Sequence, residues 1–108
     1  MTSELKKEGI EDYRLVVLPT IAESYRVHSL VDTGCSGYAF MDTAHARAHK
    51  LPLFALEKPR PLRGFKGQVE TYVTHYTRVT MNLNGHVDSD MFFYLTQLDH
   101  YAIILGLP

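Results

Sequence analysis

The chain has 108 residues, of which 45% are hydrophobic and 21% charged, which is enough for one compact domain with its own core and too little for two. The formal net charge is −1, so no basic surface argues for nucleic acid or an acidic membrane as a partner. The single cysteine, Cys35, excludes an intrachain disulfide framework and a cysteine-based zinc site. With no signal peptide pattern and no membrane-length apolar run, the sequence predicts a soluble protein of the cytoplasm or nucleus.

The N-terminal part predicts a charged arm followed by a hairpin. Residues 1–12 have little hydrophobic content and are expected to form a flexible arm, so that the domain covers residues 13–108. Residues 14–21 and 25–31 are rich in aliphatic and β-branched side chains and flank a polar turn at Glu23-Ser24. Together these two runs predict a β-hairpin.

A short helix is expected after the loop at residues 34–37 and an extended segment at residues 38–41. The alanine-rich run 42–50 can be capped by Asp42 or Thr43, and Pro52 ends it. We expect about two turns.

The rest of the chain predicts strands. Residues 53–62 contain two prolines, which suit an edge or an irregular connection, and residues 78–83 alternate apolar and polar side chains as a half-buried strand does. Asn84-Gly85 is a strong hairpin signal, since both central residues of a type I′ turn need positive φ. The returning strand covers residues 86–96, and one more buried strand covers residues 101–106.

These elements predict an all-β fold, a small closed or folded β architecture with one short helix. Within the returning strand, Phe92, Phe93 and Tyr94 belong to a continuous apolar run. We expect all three to be buried in the core rather than to form an exposed ligand patch.

The tripeptide Asp32-Thr33-Gly34 is the motif that carries chemistry. It follows the apolar Leu30-Val31, so its carboxylate is expected at a strand end, beside a glycine that permits a tight turn. Peptide hydrolysis by carboxylates needs two of them, one to activate water and one to protonate the carbonyl oxygen. No other aspartate in the chain stands before Thr-Gly or Ser-Gly, so the second carboxylate is expected from Asp32 of another copy in a twofold dimer.

The chain resembles the protease domain of retroviruses and, more closely, of gypsy-class LTR retrotransposons of fungi, over residues 13–108. Three segments carry the resemblance, in the same order as in the family. They are Leu30-Val31-Asp32-Thr33-Gly34-Cys35-Ser36-Gly37, the run from Ala39-Phe40-Met41-Asp42 to Leu51-Pro52-Leu53, and Ile103-Ile104-Leu105-Gly106-Leu107-Pro108.

The resemblance implies a small closed β-barrel-like retropepsin fold and an aspartic endopeptidase that processes a retroelement polyprotein as a homodimer. Its catalytic residues would be Asp32, Thr33 and Gly34, with Thr33 bracing the dimer. A flap at Gly64-Phe65-Lys66-Gly67 and the side chain of Ile104 would bind the peptide, and no metal or cofactor is implied. Relatives continue beyond Pro108 with a C-terminal helix, which is expected to be missing here.

Two other readings of the sequence stay open beside the protease. A retropepsin-like domain can lose its chemistry and remain as a peptide-binding or self-association module. His45 and His49 lie four residues apart on the predicted helix, a spacing that can bind zinc, but without a third ligand at a convincing spacing an exposed helix face is favoured.

Overall fold

The structure is a computed structural model that describes residues 15–32, 38–63 and 66–106. Within these ranges the chain forms strands and one short helix, α1 (Thr43–Ala48). The strands are β1 (Leu15–Val17), β2 (Thr20–Ile21), β3 (Tyr25–Arg26), β4 (Ser29–Asp32), β5 (Ala39–Asp42), β6 (Phe54–Arg63), β7 (Val69–Leu83), β8 (His86–Thr96) and β9 (Ile103–Gly106). The predicted arm at residues 1–12 lies outside the described residues.

All of these strands belong to one curled sheet. Its order is β1-β4-β9-β5-β8-β7-β2-β3, with β6 paired to β7. One edge of β7 pairs with β8, and its other edge pairs first with β6 and then with β2. Because one long strand serves several partners, the sheet curls into a half-barrel, which confirms the predicted all-β fold with one short helix.

The predicted N-terminal hairpin forms, but it is interrupted. β1 pairs with β4 and β2 pairs with β3, both antiparallel. Between these pairs stands Pro19, which has no N–H to give to a ladder; its carbonyl accepts a hydrogen bond from the N–H of Val27 at 3.2 Å. The hairpin is therefore continuous in space but divided into short ladders.

Local signals in the sequence are matched by local structure. α1 begins after Asp42, whose carboxylate Oδ2 accepts the N–H of His45 at 3.0 Å, as an N-cap does. Asn84 and Gly85 have φ of 53° and 88°, the conformation that a type I′ turn requires. β6 lies at an edge and its register with β7 shifts between Ala55 and Arg60, which confirms the irregular edge predicted from its prolines.

The core lies on one face of the sheet and under α1. Phe93, Met41, Ile103 and Ile21 are fully buried, and Ala46 of α1 packs into the same cluster. Alternate residues of β5 and β9 enter this core, so the residues between them must point to the opposite face of the sheet. That opposite face holds the candidate site.

Candidate active site

Asp32 is the last residue of β4, and β4 lies between two partners. It pairs antiparallel with β1 and parallel with β9, in a register that sets Asp32 opposite Gly106. Asp32 is half-buried. Since Gly106 has no side chain, no Cβ stands beside Asp32 at the paired position of β9.

The pairing registers show which side chains share a face with Asp32. Side chains of directly paired residues lie on the same face of a sheet, and neighbours along a strand alternate. Leu30 pairs with Ile104, two residues before the Asp32–Gly106 pair, and Ile104 pairs with Phe40 of β5. Asp32, Ile104 and Phe40 therefore lie on one face, opposite to the core.

A cavity of about 250 Å³ opens on this face, between β6 and the pair of β5 and β8. Gly106 donates its N–H to the carbonyl of Tyr38 at 2.7 Å, so Tyr38 lies one strand beyond Gly106 and two strands from Asp32. At a strand spacing of about 4.8 Å, the backbones of Asp32 and Tyr38 are about 10 Å apart. The residues that line the cavity are Tyr38, Phe40, Arg60, Pro61, Leu62, Arg63, Val73 and Tyr94.

Two arginines of β6 stand on the wall of this cavity. Arg60 donates to the hydroxyl of Tyr94 at 3.2 Å, and its guanidinium carbon lies 5.7 Å from the centre of the Tyr94 ring. Arg63 donates to the carbonyl of Gly67 at 2.9 Å, across the β6–β7 connection. The cavity thus combines an apolar lining with two positive charges.

The structure describes some of the predicted site residues and not others. Thr33, Gly34, Gly64 and Phe65 lie outside the described residues. Of the predicted flap, Lys66 and Gly67 are described: both are exposed, and Gly67 has a φ of 86° with open space where a Cβ would stand. Ile104 shares the face of Asp32 but does not line the cavity.

Sequence reasoning missed the cavity residues Tyr38, Phe40, Arg60 and Tyr94. A signal for two of them was present, since the core residues Ala39 and Met41 alternate with Phe40 and alternation assigns Tyr38 and Phe40 to the outer face. No sequence signal located Arg60, because the register shift in β6 decides which residues face the cavity.

The expectation that Phe92, Phe93 and Tyr94 are all buried in the core is wrong. Phe93 is fully buried, whereas Phe92 is 37% exposed and Tyr94 is half-buried on the opposite face. The reason is that the continuous apolar run supplies both faces of β8, and the outer-face residues pack on aromatic neighbours rather than in the core. Phe92 stacks on Tyr76 with 4.7 Å between ring centres and meets Tyr94 edge-on at 4.9 Å.

These contacts belong to an aromatic row that crosses the outer face of the sheet. Tyr94 contacts Phe40 of β5 and Tyr38 just before β5, with ring centres 6.0 and 5.9 Å apart. On the far side, Phe54 of β6 meets Tyr76 at 5.3 Å. The aromatic row comprises Tyr38, Phe40, Tyr94, Phe92, Tyr76 and Phe54. One end of it lines the cavity.

The histidines of α1 pack against an aromatic ring. The hydroxyl of Tyr25 lies 2.8 Å from Nε2 of His45, and its ring stacks on His49 with centres 3.9 Å apart. Burial raises the pKa of Tyr25 to about 12. Its O–H donates to Nε2 in the tautomer of His45 that carries its proton on Nδ1. Burial, and next the neighbouring His49, lower the pKa of His45. Across the described ranges, no group of three histidine, cysteine or acidic residues is placed to hold a metal ion.

The curled sheet, the carboxylate at the end of β4 and the cavity on the same face of the sheet define the class of a retroviral-type aspartic protease fold. The chain is similar in structure to EIAV protease in complex with the inhibitor HBY-793, with a TM-score of 0.58 and 22% identity over 88% of this chain and 83% of that one. It is also similar to the retroviral protease-like domain of Ddi1 from Leishmania major, with a TM-score of 0.56 and 20% identity over 86% of this chain and 71% of that one.

The family model of the PEG10/RTL1 protease domain matches residues 28–108, and the chain therefore belongs to this family. The matched region begins just before β4 and includes every strand from β4 to β9. No curated protein sequence matches the chain. The described residues contain no helix of sufficient length and hydropathy to cross a bilayer.

Proposed function

We propose that the protein is an aspartic endopeptidase of retroviral type, in which Asp32 from each of two copies forms the catalytic pair. The observation that carries the proposal is the position of Asp32: at the end of β4, opposite a glycine, and on the face of the sheet where the cavity opens. Membership in a protease-domain family supports the same reading.

The proposal takes the second carboxylate from another copy, and the way in which Asp42 is engaged supports this choice. Asp42 shares the outer face of β5 with Phe40, but both of its oxygens accept backbone hydrogen bonds, Oδ2 from His45 and Oδ1 from Leu98 at 2.9 Å. A carboxylate held in this way caps the helix, and we therefore do not propose Asp42 as the second catalytic group. A twofold axis beside β4 would instead bring a second Asp32 to the first.

In the proposed mechanism the two carboxylates share one proton. Two like charges held this close do not both ionise easily, so one carboxylate accepts a proton from the attacking water while the other donates its proton to the peptide carbonyl oxygen. Thr33 and Gly34 would hold the loop after Asp32. The substrate lies extended across the outer face, with Ile104 beneath it and the Gly64–Gly67 connection above it.

The natural substrate is proposed to be the polyprotein of a retroelement. The segments on either side of α1, which resemble gypsy-class elements of fungi, support this origin. A peptide within such a polyprotein binds through its backbone as an added strand and through its side chains in pockets, and the cavity beside Tyr38 and Phe40 supplies a pocket of this kind.

The experiment compares wild type with Asp32→Asn on a mixed peptide library between about pH 4 and pH 7, with and without pepstatin. We expect cleavage by wild type only, and its inhibition by pepstatin. Asp90→Asn is the matched control, because Asp90 pairs with Arg78 outside the cavity and this variant should cleave as wild type does. Equal cleavage by wild type and Asp32→Asn would contradict the proposal, as would a strictly monomeric chain in sedimentation at a concentration where cleavage occurs.

A second candidate function is a peptide-binding or self-association module without cleavage. The aromatic row favours this function, since Phe92 and Phe54 expose 37% and 43% of their surface to solvent. A peptide could bind to these exposed rings without the catalytic carboxylate. Peptide binding that is equal in wild type and Asp32→Asn, together with no cleavage by either, would favour this function over the protease.

A further inference from the structure

The cavity on the outer face of the sheet combines two kinds of surface that recognise different parts of a peptide. Tyr38, Phe40, Leu62 and Val73 supply aromatic and aliphatic walls, which suit an apolar side chain. The charged groups among the described lining residues are arginines, and no carboxylate lines the cavity there. A ligand with only apolar groups would offer these arginines neither a counter-charge nor a hydrogen-bond acceptor.

Arg60 is held in place before any peptide arrives. Its Nη1 donates to the Tyr94 hydroxyl at 3.2 Å, and its guanidinium lies over the Tyr94 ring. The cation–π contact and one hydrogen bond orient the guanidinium. Its remaining N–H donors stay available, since a guanidinium has five N–H donors. Less side-chain entropy is then lost when a ligand binds.

Among the residues that the structure describes, the guanidinium of Arg60 has no counter-charge. Over the ranges that the structure describes, the ion pair found is that of Arg78 with Asp90, and no carboxylate approaches Arg60 or Arg63 within 4.0 Å. Arg63 is engaged by the carbonyl of Gly67. A peptide that covers the cavity removes water from Arg60, and the loss is compensated best by a carboxylate in a charge-assisted hydrogen bond.

We infer that the protein selects peptides in which an acidic residue accompanies the apolar side chain that fills the cavity, and that Arg60 determines this specificity by binding the carboxylate. The inference rests on the proposed function in one respect: a peptide must occupy the cavity. It does not require cleavage.

The test separates recognition from chemistry by measuring binding with Asp32→Asn protein. Its probes are fluorescent hexapeptides from a positional-scanning library, in which one position at a time is Glu, Gln or Lys, and anisotropy reports binding. For a rim contact that remains partly hydrated, we expect Glu to bind about fivefold better than Gln at one position. The same preference should appear as a Glu-to-Gln ratio in kcat/KM for cleavage by the chain that retains Asp32.

Variants assign the preference to Arg60. Arg60→Gln in the Asp32→Asn background should abolish it, and Arg60→Glu should reverse it in favour of Lys at the same position. Lys58→Gln is the matched control, because it removes one positive charge from the same strand without lining the cavity; it should keep the preference. Circular dichroism confirms that each variant is folded.

The outcomes distinguish this inference from the proposed function. Binding with a Glu preference but no cleavage supports the inference and contradicts the protease. Cleavage with no Glu preference overturns the inference but not the protease. The same holds if the Glu preference survives Arg60→Gln, or if Lys58→Gln loses it equally. If no peptide binds, the inference is overturned because the cavity does not take a peptide.

Discussion

Replacing Thr77 by valine should stabilise the protein, because Thr77 buries a hydroxyl group that lacks a hydrogen-bond partner. Thr77 lies in β7, paired with the fully buried Phe93, and its own side chain has no exposed surface. Among the described residues no group lies within hydrogen-bond distance of its Oγ1. Valine has almost the same shape and places a methyl group where the hydroxyl stands.

The magnitude follows from the cost of leaving a polar group unsatisfied. Mutational data place that cost at about 1–3 kcal/mol, and the lower end is appropriate where the surroundings can relax. We therefore expect the free energy of unfolding to rise by about 1 kcal/mol, which raises the melting temperature of a domain of this size by about 4–8 °C.

The assay is thermal and urea unfolding of wild type, Thr77→Val and Thr80→Val at one protein concentration, since self-association would make the melting temperature depend on concentration. Thr80 provides the matched control, because it lies in the same strand and its hydroxyl donates to the carbonyl of Ser89 at 3.4 Å. Thr80→Val should bring no gain. A melting temperature of Thr77→Val at or below that of wild type would refute the reasoning.

Three further perturbations follow from local geometry. The folded-state pKa of His45 is lowered, so the stability that its neutral form contributes is complete above the unfolded pKa of about 6.5 and is lost as pH falls through the folded pKa. In urea unfolding between about pH 7 and pH 5, the free energy of unfolding of wild type should therefore decline. The decline should be smaller in His45→Gln. Gly106→Val should abolish peptide cleavage, because a branched side chain would stand beside Asp32. Undiminished cleavage by a variant that circular dichroism shows to be folded would contradict this placement. Gly85→Ala should lower the free energy of unfolding by about 1 kcal/mol, because Gly85 has a φ of 88°, which strains a residue with a side chain. A Cβ there would meet nothing within 4 Å, so the loss comes from the backbone and not from a clash. An unchanged free energy in denaturant unfolding would contradict this prediction.

The order of elements was predictable because short local signals determine it. Asn84-Gly85 specified a turn, Asp42 specified a helix start, and the prolines of β6 specified an irregular edge, each through a backbone preference of a few residues. The structure also pairs β9 directly with the strand that ends at Asp32, a contact between distant segments that no local pattern specified.

The composition of the outer face was not predictable in the same way. An apolar run such as Met91–Leu95 is compatible with burial on both faces or with an apolar face left partly open, and periodicity alone does not distinguish them. In the structure Phe93 enters the core while Phe92 and Tyr94 join the aromatic row. The position of Arg60 depends on a register shift, which no local pattern specifies.

The parallel pairing of β4 with β9 links the candidate site to the order in which the chain is made. β4 ends within the first third of the chain, whereas β9 is the last strand described. During synthesis the strand that carries Asp32 can find β1 at once but must wait for almost the whole domain before it meets its second neighbour. A contact this distant in sequence is closed late and at a high entropic cost. The fold thus couples completion of the domain to assembly of the site, and a nascent or truncated chain would hold its carboxylate on a strand with one side still unpaired.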